Sequence, residues 1–180
     1  MSPAMKLDMH SVLLMRSKPV QKISIVPRTM GALGFVLQAP VEETYLKSKI
    51  ELKNEIAVLL AGRAAEDVFL HEITTGDSND LEKATAIARD MVTRFGFGNG
   101  LVTIAKIQNM YLQTESTYTC SPQTMYLADQ AISKFLDEAY EKACAVLKKN
   151  EPLHRKLTAY LMEHEYITGK EFQEILEKEA

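Results

Sequence analysis

AGRAAEDVFLHEITTGDSNDLEKATAIARDMV, residues 61 to 92, is the stretch on which the fold turns. Two segments with helical periodicity flank a polar turn centred on Gly76. Upstream, Ile56, Leu59, Leu60, Arg63, Ala64 and Asp67 fall at helical spacing, so residues 47–70 read as one long amphipathic helix. Gly62 lies inside it, where glycine costs about 1 kcal/mol relative to alanine. A second backbone packed close at that point would account for it. Downstream, Leu81, Ala84, Ala88, Met91, Val92 and Phe95 make one apolar face, and FGFGNG stops the helix. Asn79, with Glu82 three residues later, matches the polar N-cap and acidic N3 pair that ties up orphan amides, so this helix is expected to begin there. Asp80 then sits in its first turn. A carboxylate there either complements the positive end of the helix or serves as a metal ligand.

Moving outward, VQKISIV at 20–26 alternates apolar and polar residues and ends at Pro27, and LGFVLQA at 33–39 ends at Pro40. Both read as short strands, joined as a hairpin with a long loop. LVTIAKI at 101–107 reads as a strand or extended edge. From Gln108 to Cys120 the chain is polar and aromatic without a period, which predicts a mobile loop. Ser121-Pro122 is a helix start, an N-cap followed by proline at the first helical position. Ile132, Phe135, Leu136, Ala139, Ala143, Val146 and Leu147 line one face of that helix. Pro152 opens another, carrying Leu153, Leu157, Tyr160 and Leu161. Thr168 and Glu171 form a capping box for a last short helix with Phe172, Ile175 and Leu176. The fold class is mainly α, with a small β element near the N-terminus. The expected division is a core over 1–106, a mobile loop over 107–121 and a C-terminal helical part over 122–180.

At 180 residues the chain makes one domain, or one large and one small subdomain. Its 46% hydrophobic and 25% charged residues are those of a globular protein. A net charge of −3 with scattered Lys and Arg gives no footprint for nucleic acid. Cys120 and Cys144 stand far apart with no ligand pattern beside them, as idle thiols of a reducing compartment do. No apolar run approaches the roughly 18 residues of a membrane-spanning helix, and the first residues lack the pattern of a signal peptide.

Several chemistries are missing. There is no G-x-x-x-x-G-K-[ST] phosphate loop, and no serine in a G-x-S-x-G elbow. The histidines are His10, His71, His154 and His164, and none stands four residues from another. His71-Glu72 and His164-Glu165 spell His-Glu, but neither is completed by a second histidine. These three histidines read as ordinary surface or partly buried side chains.

VQKISIVPRTMGALGF at 20–35, EIAVLLAGRAAEDVF at 55–69 and EITTGDSNDLEKATAIARDMVTRFGF at 72–97 together closely resemble the peptidase domain of the FtsH family of ATP-dependent zinc metalloproteases. The match runs in order, with family-like spacing, from about Pro19 to Phe97. YITGKEF at 166–172 is similar to the family's last helix. The resemblance implies a helical FtsH-type peptidase domain in which Asp80 occupies the position of the third zinc ligand. The other two ligands and the general base come, in the family, from H-E-x-x-H on a helix before the first strand. Here His10-Ser11-Val12-Leu13-Leu14 resembles the second half of that motif, which makes the five residues KLDMH. Lys6 stands in place of the first histidine and Leu7 in place of the glutamate. A gapless alignment falls instead around SPAMK at 2–6, which holds no ligand. A protonated lysine does not coordinate zinc, leucine carries no proton, and Asp8 points roughly 200° away from His10 on a helix.

The resemblance therefore leaves Asp80 and His10 as metal ligands and no catalytic residue. Asp80 is expected near His10 in space, without a catalytic zinc. The first reading is a degenerate FtsH-type peptidase domain, not hydrolytic as written. The second is a working zinc metalloendopeptidase domain whose motif was lost at the chain's start. The third is a helical interaction module. By resemblance the partners are protein substrates and further copies in a hexameric ring. ATP would act only through an ATPase module outside these 180 residues, and the place of work would be the cytoplasmic face of a membrane reached through segments not in this chain.

Overall fold

The computed structural model describes residues 20–24, 35–38, 46–98, 100, 103–104, 106–107, 117–118 and 120–177. The long helix expected over 47–70 follows its predicted path in three parts. Ser48 starts α1 (Lys49–Leu59) with a capping box: its hydroxyl accepts from the Glu51 amide at 3.2 Å, and the Glu51 carboxylate accepts from the Ser48 amide at 2.7 Å. Leu60 interrupts the regular geometry for one residue, and α2 (Ala61–Ala65) continues the same course. The last turn widens into a π-helical segment, Glu66–Leu70, and stops at His71, whose φ of 53° is left-handed. Such π turns recur at functional sites, because the extra residue re-aims the side chains around it.

The next helix, α3 (Ser78–Thr93), begins earlier than its sequence suggests. A 3-10 turn, Thr75–Asp77, leads straight into it, with the Thr74 hydroxyl accepting from the Gly76 amide at 3.3 Å. That local cap starts the helical path before Asn79 is reached. Asn79 and Glu82 thus lie inside the helix, and the N-cap position falls to Asp77, which is buried and makes no side-chain capping bond.

Gly62 also has a different neighbour from the one its sequence implies. A Cβ on Gly62 would stand 2.9 Å from Oδ1 and 3.1 Å from Cγ of Asp77, so a side chain and not a second backbone fills the space. Gly62→Ala gains about 1 kcal/mol of helix propensity. It also forces a buried carboxylate aside, and overpacking of this kind costs about 1–3 kcal/mol. The expected net is a loss of about 1 kcal/mol, which turns into a gain when Asp77→Ala is made in the same chain. Urea unfolding of the four proteins measures this, and identical effects in both backgrounds would contradict the contact.

Around these helices the core forms in layers. Ile56 and Leu60 of α1 and its continuation share one buried cluster with Ala84, Ala88 and Met91 of α3, the packing expected from the two apolar faces. The first half of α4 (Pro122–Lys149) closes that cluster with Ala128, Ala131, Ile132 and Phe135. Ala61, Ala64 and Ala65 of α2 lie against Ala143 and Leu147 in its second half. α4 starts as read: Ser121 Oγ accepts from the Thr124 amide at 3.2 Å, with Pro122 at the first position.

A second cluster is formed by Ile23, Leu153, Leu157, Leu161, Ile167 and Phe172. It joins β1 (Val20–Ser24) to α5 (Glu151–His164), to the strand Tyr166–Thr168 and to the last helix, Gly169–Glu177. β1 pairs antiparallel with β2 (Phe35–Gln38), as expected, and on its other edge with Tyr166–Thr168, where Ile23 faces Ile167. This third strand is not evident in the sequence, where three residues carry no period. Lys106–Ile107 (β3) pairs antiparallel with Thr117–Tyr118 (β4), which makes Tyr166–Thr168 the strand β5 and Gly169–Glu177 the helix α6. The mobile loop expected over 107–121 lies otherwise largely outside the described residues. Among the described residues the fold is mainly α, with a small sheet in which the two N-terminal strands are joined by β5 from near the C-terminus, and a separate β3–β4 pair.

The predicted capping box before α6 is present. Glu171 accepts from the Thr168 hydroxyl at 2.7 Å and amide at 2.8 Å, and from the Tyr160 hydroxyl at 3.1 Å. The Thr168 hydroxyl bond, then its amide, holds the Glu171 carboxyl below the ordinary 4.5. A depressed folded-state pKa gives stability that is present above the unfolded value and is lost as pH falls through the folded one. Glu171→Gln is therefore expected to weaken the protein near neutral pH and to flatten the part of its acid unfolding curve that lies below pH 4.5. Melting temperature against pH for the two proteins measures this, and parallel curves would contradict it.

Candidate functional site

Two pieces of chain build the site: the π turn at Glu66–Leu70 and the polar turn that enters α3. Asp80 stands in the first turn of α3, half-buried, with Lys83 Nζ 3.4 Å from its Oδ1. That contact spans less than one helical turn and its lysine is largely exposed, so it contributes only a few tenths of a kcal/mol. The amides at the helix mouth favour a carboxylate at this place whether or not a metal is near.

The turn that leads into the Asp80 helix is bonded to Glu66. The Glu66 side chain is wholly buried at the start of the π turn. Oε2 accepts from the Thr74 amide at 2.7 Å and Oε1 from the Thr74 hydroxyl at 2.9 Å. The same hydroxyl accepts from the Gly76 amide. Glu66, Thr74 and Gly76 thus form a relay that holds the 3-10 turn, and the turn sets where α3 and Asp80 begin. The sequence does carry a signal for it. Glu66 lies four residues after Gly62 and seven after Leu59, on a face that is otherwise apolar, and a carboxyl there must find partners inside.

The rest of the π turn is fastened on other sides. The Tyr140 hydroxyl of α4 donates to Asp67 Oδ2 at 2.9 Å. Burial first, and this bond second, push the Tyr140 phenol well above its ordinary range. Phe69 stacks on the buried His154 of α5, with ring centroids 4.6 Å apart and planes 11° from parallel. One turn therefore ties the site to two helices. His154 is a packed core histidine, and His71 and His164 are exposed. Cys144 and Cys120 are both free and partly buried, and burial raises the Cys144 thiol, as in an inert structural cysteine.

His10, the second expected ligand, lies outside the described residues, as do Lys6 and Leu7. Among the described residues no three His, Cys, Asp or Glu side chains converge where a metal could sit. A catalytic zinc needs three protein ligands and an open position. Of the two ligands expected here, Asp80 alone lies among the described residues, with Lys83 beside it.

Comparison with known proteins gives a consistent family. The model of Peptidase family M41 matches residues 9–175. The ATP-dependent zinc metalloprotease FtsH of Lancefieldella parvula is 46% identical over 163 residues, covering 89% of this chain and 25% of that protein. The protein of the same name from Clostridium perfringens is 43% identical over 168 residues, covering 92% of this chain and 23% of its own length. That from Helicobacter pylori is 42% identical over 164 residues, covering 89% and 26%. The chain spans about a quarter of the length of these relatives. No helix among the described residues is long and apolar enough to cross a membrane.

Proposed function

We propose that this chain, which belongs to Peptidase family M41, is an FtsH-type peptidase domain that has kept the family fold and lost hydrolysis. One observation carries the reading: nowhere in the 180 residues is there an H-E-x-x-H, and the segment that ends in His10 reads KLDMH. The family match begins at residue 9, next to His10, and leaves Lys6 and Leu7 outside it. Zinc in an M41 site polarises the scissile carbonyl and activates a water, and a glutamate takes the proton. This chain offers His10 and Asp80 toward such a metal and nothing for the proton. Removing a general base alone slows a reaction by about 10²–10⁴-fold, and without the third ligand the metal is lost as well.

What the domain keeps is the scaffold for protein handling. It holds a helical core, an antiparallel sheet at its N-terminal end and apolar side chains on the outside, among them Ile50, Phe95, Tyr126 and Leu127. In our reading it packs as a subunit of a homo-oligomeric, hexameric ring, receives protein substrates from an ATPase module in the parent protein and works at the cytoplasmic face of a membrane.

The test is direct. Protein purified without added metal is expected to contain no stoichiometric zinc and to leave casein intact. Asp80→Ala is expected to cost at most about 1 kcal/mol, the worth of a carboxylate at a helix start, and to change no proteolytic rate. Stoichiometric zinc together with casein cleavage abolished by Asp80→Ala would restore the working metalloendopeptidase.

A further inference from the structure

We draw no further inference here: the strongest candidate, the outward groove along α4 where Asp129, Asp137, Glu138 and Glu141 stand beside the exposed Tyr126, is an acidic cluster on one helix face, and nothing in the structure shows what covers it.

Discussion

Lys6→His together with Leu7→Glu is expected to make the chain bind zinc stoichiometrically and cleave casein. The two substitutions convert KLDMH at 6–10 into HEDMH and change nothing else in the chain. Histidines four apart share one helix face, and in the proposed site Asp80, in the first turn of α3, would be the third ligand. Lys6→His alone is expected to bring zinc without hydrolysis. Leu7→Glu alone is expected to bring neither, because a base without a metal-bound water has nothing to activate. The glutamate is then worth about 10²–10⁴ in rate within the zinc-bound pair, and Asp80→Ala in the doubly substituted chain removes metal and activity together. Metal analysis after dialysis, with casein digestion on the same samples, reads all of these. A doubly substituted chain that melts like the parent and stays metal-free would show that residues 6–10 do not reach Asp80. Stoichiometric zinc and casein cleavage together in the parent chain would defeat the degenerate reading itself.

The parts of this fold that were legible in the sequence are those in which a period is long enough to be seen. The apolar faces of α1, α3 and α4 each recur over several turns, and their side chains meet in one cluster. The starts at Ser121-Pro122 and Thr168-Glu171 were legible because their caps are made by residues three or four apart. The start of α3 was misplaced for the opposite reason. Asn79 and Glu82 satisfy the local rule, but Thr74 caps an earlier 3-10 turn, and Thr74 is held by a residue from the preceding helix. β5 was missed because three residues carry no period; what makes them a strand is β1, far away in sequence. Gly62 stands out in the sequence but its neighbour does not, because the Asp77 carboxylate that lies over it comes from beyond the next turn. At the site the family resemblance singles out Asp80, whereas Glu66 is marked in the sequence only by its place on an apolar face: its partner, Thr74, lies across a turn and the extra residue of a π helix.

That relay gives the second large effect. Glu66→Ala is expected to cost about 3 kcal/mol or more. Each hydrogen bond is worth about 0.5–1.5 kcal/mol, a buried partner left without one costs about 1–3 kcal/mol more, and Glu66 accepts two from Thr74. Its side chain is wholly buried, so water does not replace it without opening the turn. Glu66→Gln keeps the volume and one acceptor oxygen, and the Thr74 hydroxyl can turn to accept from the new amide, so about half of the loss should return. Thr74→Val removes the hydroxyl and leaves the backbone amide. Its cost, about 1 kcal/mol, should not add to that of Glu66→Ala, since the two changes break one shared bond. Urea unfolding gives these energies, and amide exchange at Thr74 and Gly76 shows whether the turn itself has loosened. The functional consequence appears only where a metal is present. In the chain carrying Lys6→His and Leu7→Glu, Glu66→Gln is expected to weaken zinc binding by about 10–100-fold, the usual effect of releasing a group that orients a ligand. Unchanged zinc affinity alongside fast exchange at Thr74 would mean that Asp80 takes its position from α3 alone, and that the relay serves only stability.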